Sequence, residues 1–152
     1  MPTLSDLQHL SLPQLEDLYL QPRELYVPAG LFRGHHLAWN EAAASRLRFK
    51  RPLIHLGFKA LPYGVDFDKR RWFFLDSGFT VGRFEPSIGP SRWRETEAVC
   101  MEYHVSRLPG LIRKQLYDEV KPLSEDLLLG FGGLNEPRGR GDIFFFALQR
   151  TG

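Results

Sequence analysis

Apolar and polar side chains alternate most cleanly between Thr96 and Val105. Val99, Met101, Tyr103 and Val105 fall on one side, and Ala98, Cys100, Glu102 and His104 on the other. Successive side chains of a strand point to opposite faces, so period two predicts a strand with its apolar side inward. Pro52 to Ala60, Arg71 to Asp76 and Phe79 to Phe84 give shorter strand patterns. Ser77-Gly78 reads as the tight turn of a hairpin between the last two. Leu127 to Phe131 reads as a buried strand. Asp142 to Arg150 (DIFFFALQR) is apolar on both faces, so its outer face should be covered by a helix or by a second copy of the chain in a homodimer.

Helical spacing is confined to short pieces. Ser11 and Gln14 form a capping-box pair, Pro13 suits a first turn, and Leu12, Leu15, Leu18 and Tyr19 make an apolar stripe that Pro22 ends. Residues 1–10 read as a loose lead-in. Leu25 to Trp39 reads as extended chain kinked at Pro28–Gly30, followed by a helical turn capped by Asn40. Pro62-Tyr63-Gly64 reads as a turn, Pro109 as the start of a short helical turn, and Leu116 to Lys121 as a strand. Gly132 to Gly141 reads as an exposed loop.

About eight short strands separated by turn signals, with few helical residues, predict a mainly β protein. An antiparallel up-and-down barrel with a short N-terminal helix is the simplest closure. The chain of 152 residues suits one such domain, with no repeat and no linker to divide it. A barrel of eight strands has an interior that side chains fill, or that holds one small ligand.

Two segments resemble a known group. Gly30-Leu31-Phe32-Arg33-Gly34 resembles the opening G-x-W-x-G signature of calycin-type barrels, the lipocalin-like, nitrobindin-like and bacterial GXWXG-type domains, with Phe32 in the Trp position. Tyr117-Asp118-Glu119, Leu129-Gly130 and Phe144 to Arg150 resemble the closing strands of the bacterial members. The resemblance implies a lipocalin-like barrel with an apolar cavity and carries over no catalytic residue. Nitrobindin-like members place a haem-ligating histidine late in the chain. No histidine follows His104, so haem is not expected, nor is any other cofactor.

Composition sharpens this picture only in part. Aromatic residues make up 13%, with 12 Phe against 5 Tyr and 3 Trp, which favours strands and large buried area. The net charge of +2 is too small to point to nucleic acid. Fifteen of the 20 basic residues are Arg, whose planar fork suits carboxylate and phosphate. The single cysteine, Cys100, excludes an intrachain disulfide. The first residues lack a basic start followed by an apolar core, and no apolar run reaches membrane-spanning length. A cytoplasmic protein without membrane insertion is expected.

Candidate chemistry centres on Gly82 to Val105. Arg83, Arg92 and Arg94, with Trp93, lie in a glycine-framed loop that could clamp a carboxylate or phosphate, with Trp93 stacking on an arginine or a ligand ring. The same arginines could instead pair with Glu85, Glu95, Glu97, Asp118 or Glu119. Tyr103 falls on the inward side of the following strand. Glu102 and His104 share the other side and, with Asp118, are the candidates for acid–base work if that side lines a cavity. His35 and His36 are adjacent and point to opposite faces, and no metal-binding spacing occurs, so no metal is expected. Glu102 beside Cys100 would raise the thiol pKa, so a nucleophilic cysteine is not expected. The leading expectation is binding of a small apolar or amphipathic molecule, with or without an anionic group, in a barrel cavity. A homo-oligomeric interaction module and a small-barrel isomerase, cyclase or lyase are the alternatives.

Overall fold

A computed structural model describes residues 1–45, 52, 63–75 and 80–151. Nine strands form one antiparallel sheet: β1 (Leu31–Trp39), β2 (Tyr63–Asp66), β3 (Arg71–Phe74), β4 (Thr80–Arg83), β5 (Glu85–Pro90), β6 (Glu97–Glu102), β7 (Leu116–Ser124), β8 (Leu127–Leu134) and β9 (Asp142–Arg150). Their order is β4-β3-β2-β1-β9-β8-β7-β6-β5. Every pair except β1–β9 joins strands consecutive in the chain, which is the up-and-down arrangement. The two ends of the sheet, β4 and β5, are separated by Phe84 alone. They act as one strand bent at Gly82, whose φ of +79° is open to glycine but costly for other residues. The sheet is thereby nearly closed, with eight staves in effect.

Alternation sets two apolar layers. Phe32, Val65, Val99, Met101, Val120, Leu128, Phe146 and Leu148 face the barrel interior. Ala98, Cys100, Tyr117, Leu127, Leu129, Phe131, Phe145 and Ala147 face outward, under two N-terminal helices. These are α1 (Leu4–His9) and α2 (Leu12–Leu20). The final strand is apolar on both faces because it separates these two layers. Its outer face is covered by the chain's own helices, so its composition does not call for a second copy.

Residues 1–10 are not a loose lead-in. Thr3 and Asp6 form a reciprocal cap: the Asp6 amide donates to Thr3 Oγ1 at 3.2 Å, and the Thr3 amide donates to Asp6 Oδ2 at 2.7 Å. Asp at the third helical position is a shorter version of the usual Glu or Gln, and α1 then seats Leu7 in the outer layer. α2 starts at Ser11 with Gln14 as partner, as expected, and buries Leu15 and Tyr19. Tyr19 meets Phe131 and Phe145 edge-on at 5.1 and 6.2 Å.

Several other expectations shift. The extended chain before β1 becomes a strand only at Leu31. Tyr63 and Gly64, expected in a turn, open β2, because each pairs in register with β3. β6 ends at Glu102, so Val105 lies beyond the strand and is exposed rather than inward. Gly132 and Gly133 extend β8 instead of opening the loop. α3 (Glu41–Ala44) follows Asn40, and α4 (Gly110–Gln115) follows Pro109, both as the turn signals predict. Of the strand expected from Pro52 to Ala60, residues 53–60 lie outside the described residues, as does the Ser77-Gly78 turn.

One end of the barrel is packed shut. Phe32 meets Phe67 edge-on at 5.5 Å, and Phe67 meets Phe84 at 5.7 Å. The Arg150 guanidinium lies 4.8 Å from the Phe32 ring centre and donates to the Ala29 carbonyl at 2.7 Å, tying the last strand to the first. The Gly30–Gly34 signature therefore builds a floor.

Candidate functional site

The opposite end, where β1, β3, β6 and β8 finish, is open. A cavity of about 330 Å³ lies there. Trp39, Trp72, Phe74, Leu116, Leu134 and Phe144 supply an almost wholly apolar wall. The Tyr63 ring fits across β1 because Gly34 has no side chain; a Cβ there would stand 2.0 Å from the ring. Tyr63 and Trp72 then lie 5.9 Å apart between ring centres.

One polar chain crosses this wall. Trp72 Nε1–H donates to Tyr103 Oη, and Tyr103 Oη–H donates to Asp118 Oδ2. The register places Asp118 beside Met101 on β6 and Gly132 on β8, which aims it inward. A Cβ at Gly132 would approach Asp118 Oδ1 to 2.9 Å, so glycine leaves room for the carboxyl. Burial pushes Asp118 up to about 7, against the opposing pull of hydrogen bonds from Tyr103 and the Gly133 amide. Burial, reinforced by Asp118, holds the Tyr103 phenol protonated well above its ordinary range. Asp118 thus takes up or releases a proton near neutral pH, facing the cavity, with Tyr103 fixed as a donor.

The sequence candidates separate into three places. Tyr103 and Asp118 line the cavity. Glu102 and His104 are outside it, with side chains 53% and 58% exposed. His104 Nε2 lies 3.0 Å from Glu85 and Nδ1 lies 3.6 Å from Glu102, an exposed group outside the apolar cavity. The acid–base set of Glu102, His104 and Asp118 is therefore not assembled. Alternation is the reason: the inward members of β6 are Val99 and Met101, and Tyr103, just past its end, keeps the same side.

The arginine loop also departs from expectation. Residues 85–90 are strand β5, and residues 91–94 form a knot behind the sheet. Glu119, fully buried, accepts from Tyr19 Oη at 2.8 Å, from the Arg92 amide at 3.1 Å and from Ser91 Oγ. Arg94 is buried and bonded to Asp142 at 2.8 Å and to Glu16 of α2, neither of which the sequence pattern singled out. Asp142 also accepts from Asn40 at 2.9 Å. Arg94 therefore pins helix α2 to the barrel and cannot clamp a ligand. Trp93 is buried too. Its Nε1–H donates to the Glu136 carbonyl at 2.9 Å and its ring meets Tyr117 edge-on at 5.1 Å. Arg92 lies over the outer face of Tyr117, 4.8 Å from the ring centre. Arg83 faces a second pocket with Arg71 and Arg107, and Arg92 lines a third with Glu102 and His104.

Cys100 is buried under the helices, and burial pushes its thiol up, away from reactivity. Among the described residues, no three His, Cys, Asp or Glu side chains gather at metal-binding distances. No helix among them is long and apolar enough to cross a membrane. Sequence reasoning missed Trp72, Arg71 and Arg107. Trp72 was visible as an inward position of the RWFFLD strand, but its partner Tyr103 is 31 positions away, beyond the reach of local patterning.

No family model and no curated protein matches the chain. Among solved structures, a protein from Thermomonospora curvata is similar, with a TM-score of 0.51 and 18% identity. The likeness covers 94% of this chain and 89% of that one. At that identity the comparison speaks to the fold: the chain is an antiparallel barrel that shares its course, nearly end to end, with another barrel of known structure.

Proposed function

We propose that this barrel is calycin-like and binds one small apolar or amphipathic molecule in its open end. The observation that carries the reading is the cavity wall, aromatic and aliphatic except for the Tyr103–Asp118 pair. Its volume sits at the lower end of the roughly 300–1,000 Å³ typical of ligand pockets, which favours a compact or single-chain ligand. The polar end of a ligand would lie against the Tyr103–Asp118 pair, and burial of the apolar remainder would supply the affinity. Titration with a neutral naphthylamine dye tests this directly. Saturable fluorescence enhancement is expected, and Leu116→Trp, which fills the cavity, should weaken it at least about tenfold, the equivalent of 1.4 kcal/mol. A dye signal that never saturates, or one indifferent to Leu116→Trp, would rule the reading out.

A second reading, proton transfer on the bound molecule, rests on Asp118 alone. A carboxyl titrating near neutrality within an apolar wall suits a general acid or base. Deuterium from solvent should then enter a bound carbonyl compound next to its carbonyl, and Asp118→Asn should stop it. Equal incorporation by wild type and variant would count against catalysis while leaving binding intact.

A further inference from the structure

The seam of the barrel carries an arrangement that the cavity alone does not explain. Arg71 on β3 and Arg83 on β4 are direct cross-strand partners, with a bulge immediately after Arg71. Like charges in directly opposed positions repel. Arg107, from the segment linking β6 to α4, lines the same pocket of about 440 Å³, so three arginines line one space. Among the described residues no acid lines this pocket. Asp66, the other cross-strand neighbour of Arg71, is engaged by the Lys69 amide at 3.0 Å and by Lys69 Nζ at 3.4 Å. Glu85, two positions after Arg83, pairs with His104. Among the described residues none of the three arginines has a carboxylate partner.

The pocket is also built. Ser106 is buried, and its Oγ accepts from the Leu108 amide at 3.2 Å. Its carbonyl accepts from Arg113 at 3.2 Å, which fixes the segment. The Ser106 hydroxyl proton has no acceptor among the described residues, although the residue faces the pocket. Gly82 and Leu108 line both this pocket and the apolar cavity. With no side chain at Gly82, the two spaces adjoin across the bend between β4 and β5.

We propose that Arg71, Arg83 and Arg107, with the Ser106 hydroxyl, hold the anionic head group of an amphipathic ligand whose apolar chain lies in the cavity. The head group is a carboxylate or a phosphate, since forked guanidiniums match the oxygens of either. This rests on the binding reading above and adds the chemical class and orientation of the ligand. An anion at the seam would also relieve the Arg71–Arg83 repulsion.

Displacement of the neutral dye by dodecanoate, dodecyl phosphate and dodecanol tests the proposal. At least one of the two anions should displace dye at concentrations about tenfold or more below dodecanol, as charge-assisted hydrogen bonds allow. Which anion is preferred identifies the head group. Arg83→Gln combined with Arg107→Gln should abolish the preference while leaving dye and dodecanol binding unchanged, and added salt should shrink it in wild type. Dye binding with no preference for either anion overturns the anion site and leaves the cavity reading standing. A preference that survives in the double variant overturns the residue assignment. Absence of dye binding in wild type overturns both readings.

Discussion

The two ends of the barrel use similar residues to opposite effect. At the floor, Phe32, Phe67 and Phe84 are completely or almost completely buried and meet edge-on at spacings of 5.5 and 5.7 Å. At the open end, Trp39, Trp72 and Phe144 are equally aromatic yet stand around a space of about 330 Å³. The floor closes because short turns bring strand ends together and Arg150 ties first strand to last. The open end does not close because its larger rings lean against the wall and against one another, and because Asp118 and Tyr103 satisfy each other within it. Aromatic content therefore gives the amount of apolar surface. Whether that surface fills a core or lines a cavity depends on how far the strand ends converge.

The difference should be measurable as stability. Phe32→Ala removes a ring from the packed floor, together with the surface on which Arg150 rests. A loss of about 3–5 kcal/mol is expected in chemical denaturation, in line with buried Phe truncations. A loss under about 1 kcal/mol would mean the floor is as loosely filled as the open end. Added bulk should sort the ends in reverse. Val120→Phe in the filled interior should cost about 1–3 kcal/mol by overpacking, whereas Leu116→Trp should cost less, because it grows into free space. Equal costs at the two sites would break the comparison.

Asp118 gives the smallest and most specific effect. Its pKa is about 7 in the folded chain, against 3.8 for an ordinary Asp. Between these values the folded state binds more protons than the unfolded one. Its contribution to stability is therefore complete below about 4 and is lost as pH rises through 7. Melting temperature should fall over that window from this group, and Asp118→Asn should flatten the profile there. A variant with the same slope as wild type would place the titration on other groups.

Much of the fold was legible from local rules. The β9 range, the inward set Val99, Met101 and Tyr103, and the Ser11–Gln14 helix start follow from periodicity and capping, both of which act within a few residues. The capped α1 was missed because its box uses Asp in place of Glu or Gln. The site was legible only in part. Tyr103 and Asp118 were singled out, but so were Trp93 and Arg94, which structural partners hold in the knot. An arginine reads the same in sequence whether it faces Asp142 from behind the sheet or faces Arg83 across a seam. Arg71 gave no signal, since its importance lies in a register partner.

The sequence by itself determined the alternation, the turns and the caps, and through them an antiparallel barrel with its inward residues. Those are properties of neighbours along the chain, fixed by backbone sterics and by the period of two. Tertiary structure decided which end of the barrel fills, which arginines are consumed in ion pairs, and which three line one pocket beside the cavity. Such outcomes depend on pairs beyond local reach in sequence, Trp72 with Tyr103, Glu16 with Arg94, Arg83 with Arg71, whose meeting is set by strand register and barrel closure rather than by any local preference.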